Sequence, residues 1–307
     1  MSDFNLYFAG YEAIELTPDA NILLSQYLDR KKIAKIIEYY KTHKKENLFL
    51  IDSGAFSAKN RSIKIDTDDY IDYINSISEW VDYFVSVDTI PLNADEVKKC
   101  CDATWENYLY MRERVNEKDK LIIVFHSGES FDDLKRILNY VDKDGSKIKY
   151  IGLSVGSGSP QDREQWFAKC FKVISESNNP EVMTHAFGMT SIALVERFPF
   201  TSSDSTTYVK AAAFGEICLK ASKRYVVSSK KLTAQNHILN TSKEVQDYVD
   251  SEFRKLGTSL KAITEGTEER QHQYLCAFNV NQFIEWFNNY KRTLKQNNDN
   301  VYKEDLW

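Results

Sequence analysis

The chain has little of what marks membrane, secreted or metal-knuckle proteins. Its longest apolar runs, such as LIIVF at 121–125, fall far short of the roughly 20 residues that span a bilayer, and MSDFNLYFAG at the start shows no basic-then-apolar leader pattern. Five cysteines (Cys100, Cys101, Cys170, Cys218, Cys276) are odd in number and irregular in spacing. That argues against a disulfide framework and a C-x-x-C metal site, and predicts reduced thiols in the cytoplasm. There is no internal repeat, Pro-rich linker or low-complexity block, so no second independent domain is expected.

What is present suffices for a large core: 307 residues, 42% apolar and 13% aromatic. The net charge of −5 argues against a surface coated in positive potential, but the charge is unevenly placed. From Tyr208 to Leu232 six basic residues stand against one acid, Glu216. Lys210, Lys220, Lys223 and Arg224 within that stretch are candidate contacts to a polyanion backbone, although a Lys-rich solvated face is as common.

Apolar, β-branched-rich runs alternate with amphipathic segments, the pattern of βα units and a parallel sheet. Eight such runs are read as strands: 5–10, 47–52, 82–88, 120–126, 148–154, 182–188, 199–204 and 224–229. Helices are expected between them, for example over 21–43 and over 130–142 with Ser130 as N-cap. Eight strands over about 230 residues predict a (β/α)8 TIM-type barrel, with a doubly wound open sheet as the alternative. The division expected is a barrel over 1–231 and a C-terminal helical extension over 232–307 packed on it, with core-facing Phe283, Trp286 and Phe287 and a fraying polar end, QNNDNVYKEDLW.

The strand ends carry the chemical signal. Asp52, Asp88, His126 with Ser127, Gly152 to Gly156, His185 to Gly188, and Asp204 each close one run. In a barrel these ends converge on the carboxyl face, where active sites of the fold lie. A strand-end Asp often caps the next helix, and a lone His is usually just hydrogen-bonded; three Asp and two His on one rim are harder to assign to structure alone. A Ser-His-Asp hydrolase is set aside, with GLSVG at 152–156 not taken as a nucleophile elbow. GSGSP at 156–160 lacks the Lys and spacing of a phosphate loop. Paired carboxylates fit glycosyl chemistry best, one attacking the anomeric carbon and the other moving a proton.

Six segments, DSGAFS (52–57), SVDTIP (86–91), FHSGESFDDL (125–134), IGLSVG (151–156), HAFG (185–188) and SSDSTT (202–207), together resemble the motif series of the tRNA-guanine transglycosylase superfamily. They are most similar to its compact phage-type members, which insert 7-deazaguanines into DNA. The resemblance runs from about residue 5 to 230. It implies a base exchange in which Asp204 is the nucleophile and Asp52 the acid/base group. It further implies that Asp88 reads the base's Watson–Crick edge, that Gly152 and Leu153 contact the heterocycle through their backbone, and that Phe56 and Phe187 sandwich it. Ser53, His126, Ser127, His185 and Gly188 complete the implied base-binding set, with Gly54 and Ala55 keeping the turn after Asp52 slim. Where the tRNA enzymes carry a base-reading glutamine and a later glutamate, this chain has Ser127 and Ser157, which favours a substrate without an aminomethyl group, such as 7-cyano-7-deazaguanine.

The family's C-x-C-x-x-C zinc motif is missing, and no cofactor is expected; Cys218, His237, His272 and Cys276 are the residues that could supply a zinc site. The partners implied are DNA, with tRNA as the alternative, the 7-deazaguanine base, and a separate protein for strand opening; no membrane is implied. If the chain is phage-encoded, the compartment is the host cytoplasm. Two further readings compete: a non-catalytic barrel subunit that only binds nucleic acid, and a nucleoside or sugar hydrolase using the same two acids.

Overall fold

The computed structural model describes residues 4–61, 63–156, 158–189 and 191–297, without the side chains of residues 60, 192 and 290–297. Eight parallel strands close into a barrel in sequence order, and β1 pairs with β8 to complete the ring. They are β1 (Asn5–Ala9), β2 (Ile22–Ser25), β3 (Phe49–Asp52), β4 (Tyr83–Val85), β5 (Leu121–His126), β6 (Tyr150–Ser154), β7 (Met183–Ala186) and β8 (Ser202–Ser205). The helices between and after them are α1 (Gln26–Thr42), α2 (Ala55–Asn60), α3 (Thr67–Ile77), α4 (Val97–Arg112), α5 (Phe131–Asn139), α6 (Pro160–Ser175), α7 (Ile192–Arg197) and α8 (Thr207–Ala213). This is the expected (β/α)8 barrel.

Two strands were exchanged between expectation and structure. The run at 224–229 is not a wall strand: Lys223–Val226 (β10) pairs antiparallel with Glu216–Leu219 (β9) in a separate hairpin. The missing wall strand is β2, inside the segment read as one helix over 21–43; it pairs with both β1 and β3. Ile22, Leu23 and Leu24 are apolar in a row, which satisfies a buried strand and a helix face equally well, and four residues are too few for period to decide.

Alternation along the strands divides the core into two layers. Tyr7, Leu23, Leu50, Val85, Ile122, Val124 and Tyr150 fill the barrel interior. Residues in the opposite phase, including Phe8, Leu24, Ile51, Phe84, Ile123, Phe125 and Leu153, pack outward against the helices. Side-chain caps start several of those helices: Asp66 accepts from Asp68 N–H and Asp69 N–H at α3, and Ser130 accepts from Asp132 N–H at α5. Ser159 and Asp162 form a reciprocal capping box at α6, with Pro160 in its first turn.

Beyond β8 the chain forms α8, the β9–β10 hairpin, α9 (Lys243–Lys255), α10 (Leu260–Glu265) and the long α11 (Gln271–Asn297). Two buried amides on α11 hold the hairpin. Asn279 Oδ1 accepts from Cys218 N–H at 2.7 Å, its Nδ2 donates to Tyr208 O and Glu216 O, and Gln282 Oε1 accepts from Lys220 N–H at 3.0 Å. Phe287 stacks on Phe4 at 5.1 Å, and Phe283 meets Phe8 edge-on, so the extension's aromatic stripe is core, with Trp286 half-buried beside it. The polar end from residue 298 lies outside the described residues. Among the described residues, no helix is long and apolar enough to cross a membrane.

Candidate active site

The inward phase that packs the barrel also delivers its polar residues to the carboxyl mouth. Leu50 points inward and so, two residues on, does Asp52; Val124 leads in the same way to His126, and Tyr150 to Gly152 and Ser154. Met183 leads to His185 and Phe187, and Ser202 leads to Asp204. Asp88 joins from the segment after β4.

Asp52 keeps part of its surface accessible, yet enough protein surrounds it that burial dominates its proton affinity. Burial, the charge of Asp88 and the charge of Asp204 push its carboxyl up to about 7, against the opposing effect of the Gly54 N–H that donates to Oδ2 at 2.9 Å. Gly54 adopts a left-handed φ of +85°, and a Cβ there would lie 2.4 Å from Tyr27 Cβ and 2.5 Å from Ser25 Oγ. Its smallness thus serves the close approach of the start of α1 rather than room for a base.

Asp204 is held from two sides. Gly188 N–H donates to Oδ1 at 2.6 Å, and His185 Nε2 lies 3.4 Å from the same oxygen. His185 is fully buried, and its Nδ1 is 2.5 Å from Ser202 Oγ, which is 2.6 Å from the Tyr150 hydroxyl. Tyr150, whose phenol burial holds protonated, Ser202 and His185 thus form one continuous chain that ends with His185 Nε2 against the Asp204 carboxylate. His185 therefore lies beneath the carboxylate and orients it, a different position from the base contact expected of it.

The second cluster joins Asp88, His126 and Glu129. His126 Nε2 is 2.9 Å from Asp88 Oδ2, and Nδ1 is 3.0 Å from Glu129 Oε1. Burial alone would lower the imidazole's proton affinity, but hydrogen bonds to both carboxylates overcome this and push it up to about 9. His126 is thus an imidazolium between two acids at neutral pH.

Phe187 covers the mouth: it meets His185 edge-on at 4.5 Å, and a Cβ on Gly152 would come 2.3 Å from its ring. Its partner in the expected sandwich, Phe56, stands on α2 with 67% of its surface exposed. Ser53 is buried in the turn, its Oγ accepting from Ala55 N–H, and Ser127 Oγ accepts from Gly156 N–H, bracing the loop after β6. Leu153 faces outward into the helix layer, and its carbonyl accepts from Phe187 N–H. Ser157 lies outside the described residues.

GLSVG at 152–156 does spell G-x-S-x-G, so spelling alone does not set the hydrolase aside; the backbone does. Ser154 is in register with His126 within the sheet, and α6 begins only at Pro160. A nucleophile elbow requires the serine on the strand-to-helix turn itself.

The other sequence candidates stand outside these hydrogen-bonded clusters. Lys210 is on α8, while Lys220, Lys223 and Arg224 are exposed on the hairpin, Arg224 lying 3.7 Å from Glu216. His272 Nε2 and Cys276 Sγ approach to 3.6 Å on α11. Among the described residues, however, no three His, Cys, Asp or Glu side chains converge as metal ligands, so the four residues considered for zinc do not come together. Sequence reasoning missed Glu129, Ser202 and Tyr150. For Glu129 there was a local signal, an acid three residues after a strand-end His; the other two act across strands. No protein-family model matches the chain, and no curated protein matches it.

Proposed function

We propose that the chain is a base-exchange transglycosylase that replaces guanine in DNA with a 7-deazaguanine. The observation that carries this reading is the unlike setting of two inward carboxylates: Asp52 binds its proton up to about pH 7, while Asp204 is fixed by Gly188 N–H and His185. Double displacement at an anomeric carbon needs that division.

In the first half-reaction an Asp204 oxygen attacks C1′ of the deoxyribose. The C1′–N9 bond breaks, its electron pair stays with the purine, and Asp52 supplies the proton that makes the departing guanine neutral. In the second half-reaction the incoming 7-deazaguanine gives its N9 proton to Asp52, and N9 attacks C1′ to release Asp204. One N-glycosidic bond replaces another, and two inversions retain configuration. A flipped base would stack on Phe187 with its N1–H and 2-amino donors toward Asp88.

DNA as the polymer and 7-cyano-7-deazaguanine as the incoming base rest on the motif resemblance, and the basic residues from Lys210 to Arg224 would bind the backbone. The test is incubation of the protein with labelled guanine or labelled 7-deazaguanine and, separately, duplex DNA, single-stranded DNA or tRNA. Label entering DNA supports the reading, label entering tRNA alone transfers it to the tRNA enzymes, and label entering none overturns it. Free base released without incorporation marks a hydrolase.

A further inference from the structure

The turn after β5 does more than end a strand. Gly128 takes a left-handed φ of +98°, which any other residue reaches only with strain, and Glu129 N–H returns to the His126 carbonyl at 3.2 Å. This tight turn folds the Glu129 side chain back onto the imidazole of His126. Glu129 is only 7% exposed, and among the described residues its carboxylate pairs with no Lys or Arg. The Glu129 charge also reaches Cys101 of α4, whose thiol burial and then that charge push up to about 12, so that group stays neutral. The negative charge of Glu129 is therefore answered through His126.

On its opposite edge the imidazole binds one oxygen of Asp88, whose charge bears on Asp52 at the end of the adjacent strand. Three side chains thus form one line, Glu129–His126–Asp88, running from a buried corner to the mouth. A carboxylate that accepts two donors from a base must be in one rotamer and must not carry a proton. The His126 Nε2 at 2.9 Å from Asp88 Oδ2 holds that carboxylate in one orientation.

We propose that Glu129 is a positioning residue for base selection: through His126 it fixes the Asp88 carboxylate as acceptor for the N1–H and 2-amino donors of a guanine-type edge. This role rests on the base-exchange reading and adds a determinant of which base is taken. Guanine and 7-deazaguanines present both donors. Hypoxanthine lacks the amine, and adenine presents a lone pair at N1 that a carboxylate repels. With Glu129 neutralised, either imidazole nitrogen can carry the single remaining proton. Asp88 then loses its fixed charged partner and with it the preference for the 2-amino group.

Two measurements on the full chain test this. In base-free wild-type protein, the imidazole 15N resonances of His126 show both nitrogens protonated at pH 7.5, and Glu129→Gln shows one proton lost at that pH. In equilibrium binding of labelled guanine and labelled hypoxanthine, Glu129→Gln lowers the guanine-to-hypoxanthine affinity ratio by at least about tenfold. A singly protonated wild-type His126 overturns the proposal even if the variant does not fold. So does a folded variant that keeps both imidazole protons or an unchanged ratio. Wild-type protein that binds neither base while His126 is doubly protonated instead removes the base-exchange reading, and the selection role goes with it.

Discussion

Asp52 and Asp204 face the same barrel mouth from β3 and β8, with β1 and β2 between them in the wall, and the Asp204 charge helps hold the proton on Asp52. The Asp204 charge thereby helps set up the acid role proposed for Asp52. In the proposed base exchange Asp204, held by Gly188 N–H and His185 Nε2, is the nucleophile, and its charge keeps Asp52 a usable acid near neutral pH.

That coupling predicts the pH dependence of the first half-reaction. Base departure needs protonated Asp52, so kcat/KM for DNA should be level below about pH 7 and fall roughly tenfold per unit above it. Asp52→Asn should remove this limb along with about 10²–10⁴-fold of the rate. A profile still level at pH 9 would assign the proton to another group.

The same group predicts a stability cost. Its folded-state proton affinity is raised from 3.8 to about 7, so between those values the folded chain holds a proton that the unfolded chain has released. Stability from Asp52 is therefore lost as pH rises from about 4 to about 7, and stays lost above. His126 adds a loss of the same sign: raised from 6.5 to about 9, it contributes fully below the first value and nothing above the second. Asp52→Asn should then stabilise the fold at pH 8 by on the order of 2–4 kcal/mol while disabling exchange. A Tm at pH 8 equal to or below wild type would contradict this.

Much of this arrangement is legible in sequence because the strand period is two. Once 47–52 and 120–126 are read as strands, Asp52 and His126 fall in phase with the apolar residues two positions before them. The strand β2 was illegible because ILLS runs directly into α1 with no turn residue between. The run holding the hairpin strand β10 includes Tyr225, Val226 and Val227, apolar enough to be read as a wall strand, while its exposed Lys223 and Arg224 fit a strand outside the barrel. Ser202 and Tyr150 are linked to His185 across neighbouring strands, so no local pattern could announce that chain of hydrogen bonds.

Gly152 is a position where one methyl group should matter. A Cβ would meet the Phe187 ring at 2.3 Å, so Gly152→Ala should displace that ring from the mouth. The expected stability loss is about 1–3 kcal/mol, with KM for the base raised by a larger factor than kcat is lowered. Unchanged base affinity would remove Phe187 as a stacking wall.

The basic residues of α8 and the hairpin have their own signature. Lys210→Ala, Lys220→Ala, Lys223→Ala and Arg224→Ala should each reduce the salt slope of DNA binding by about one and leave turnover at saturating DNA unchanged. Salt slopes identical to wild type would place the DNA path elsewhere.

The central claim is a covalent bond between Asp204 and C1′ of the sugar. Acid-quenched mixtures of protein and guanine-containing DNA, without added base, should contain a protein–DNA adduct on denaturing gels, and peptide mapping should locate it at Asp204. Asp204→Asn should form none. An adduct at another residue, or wild-type exchange with no adduct at any quench time, would contradict the account.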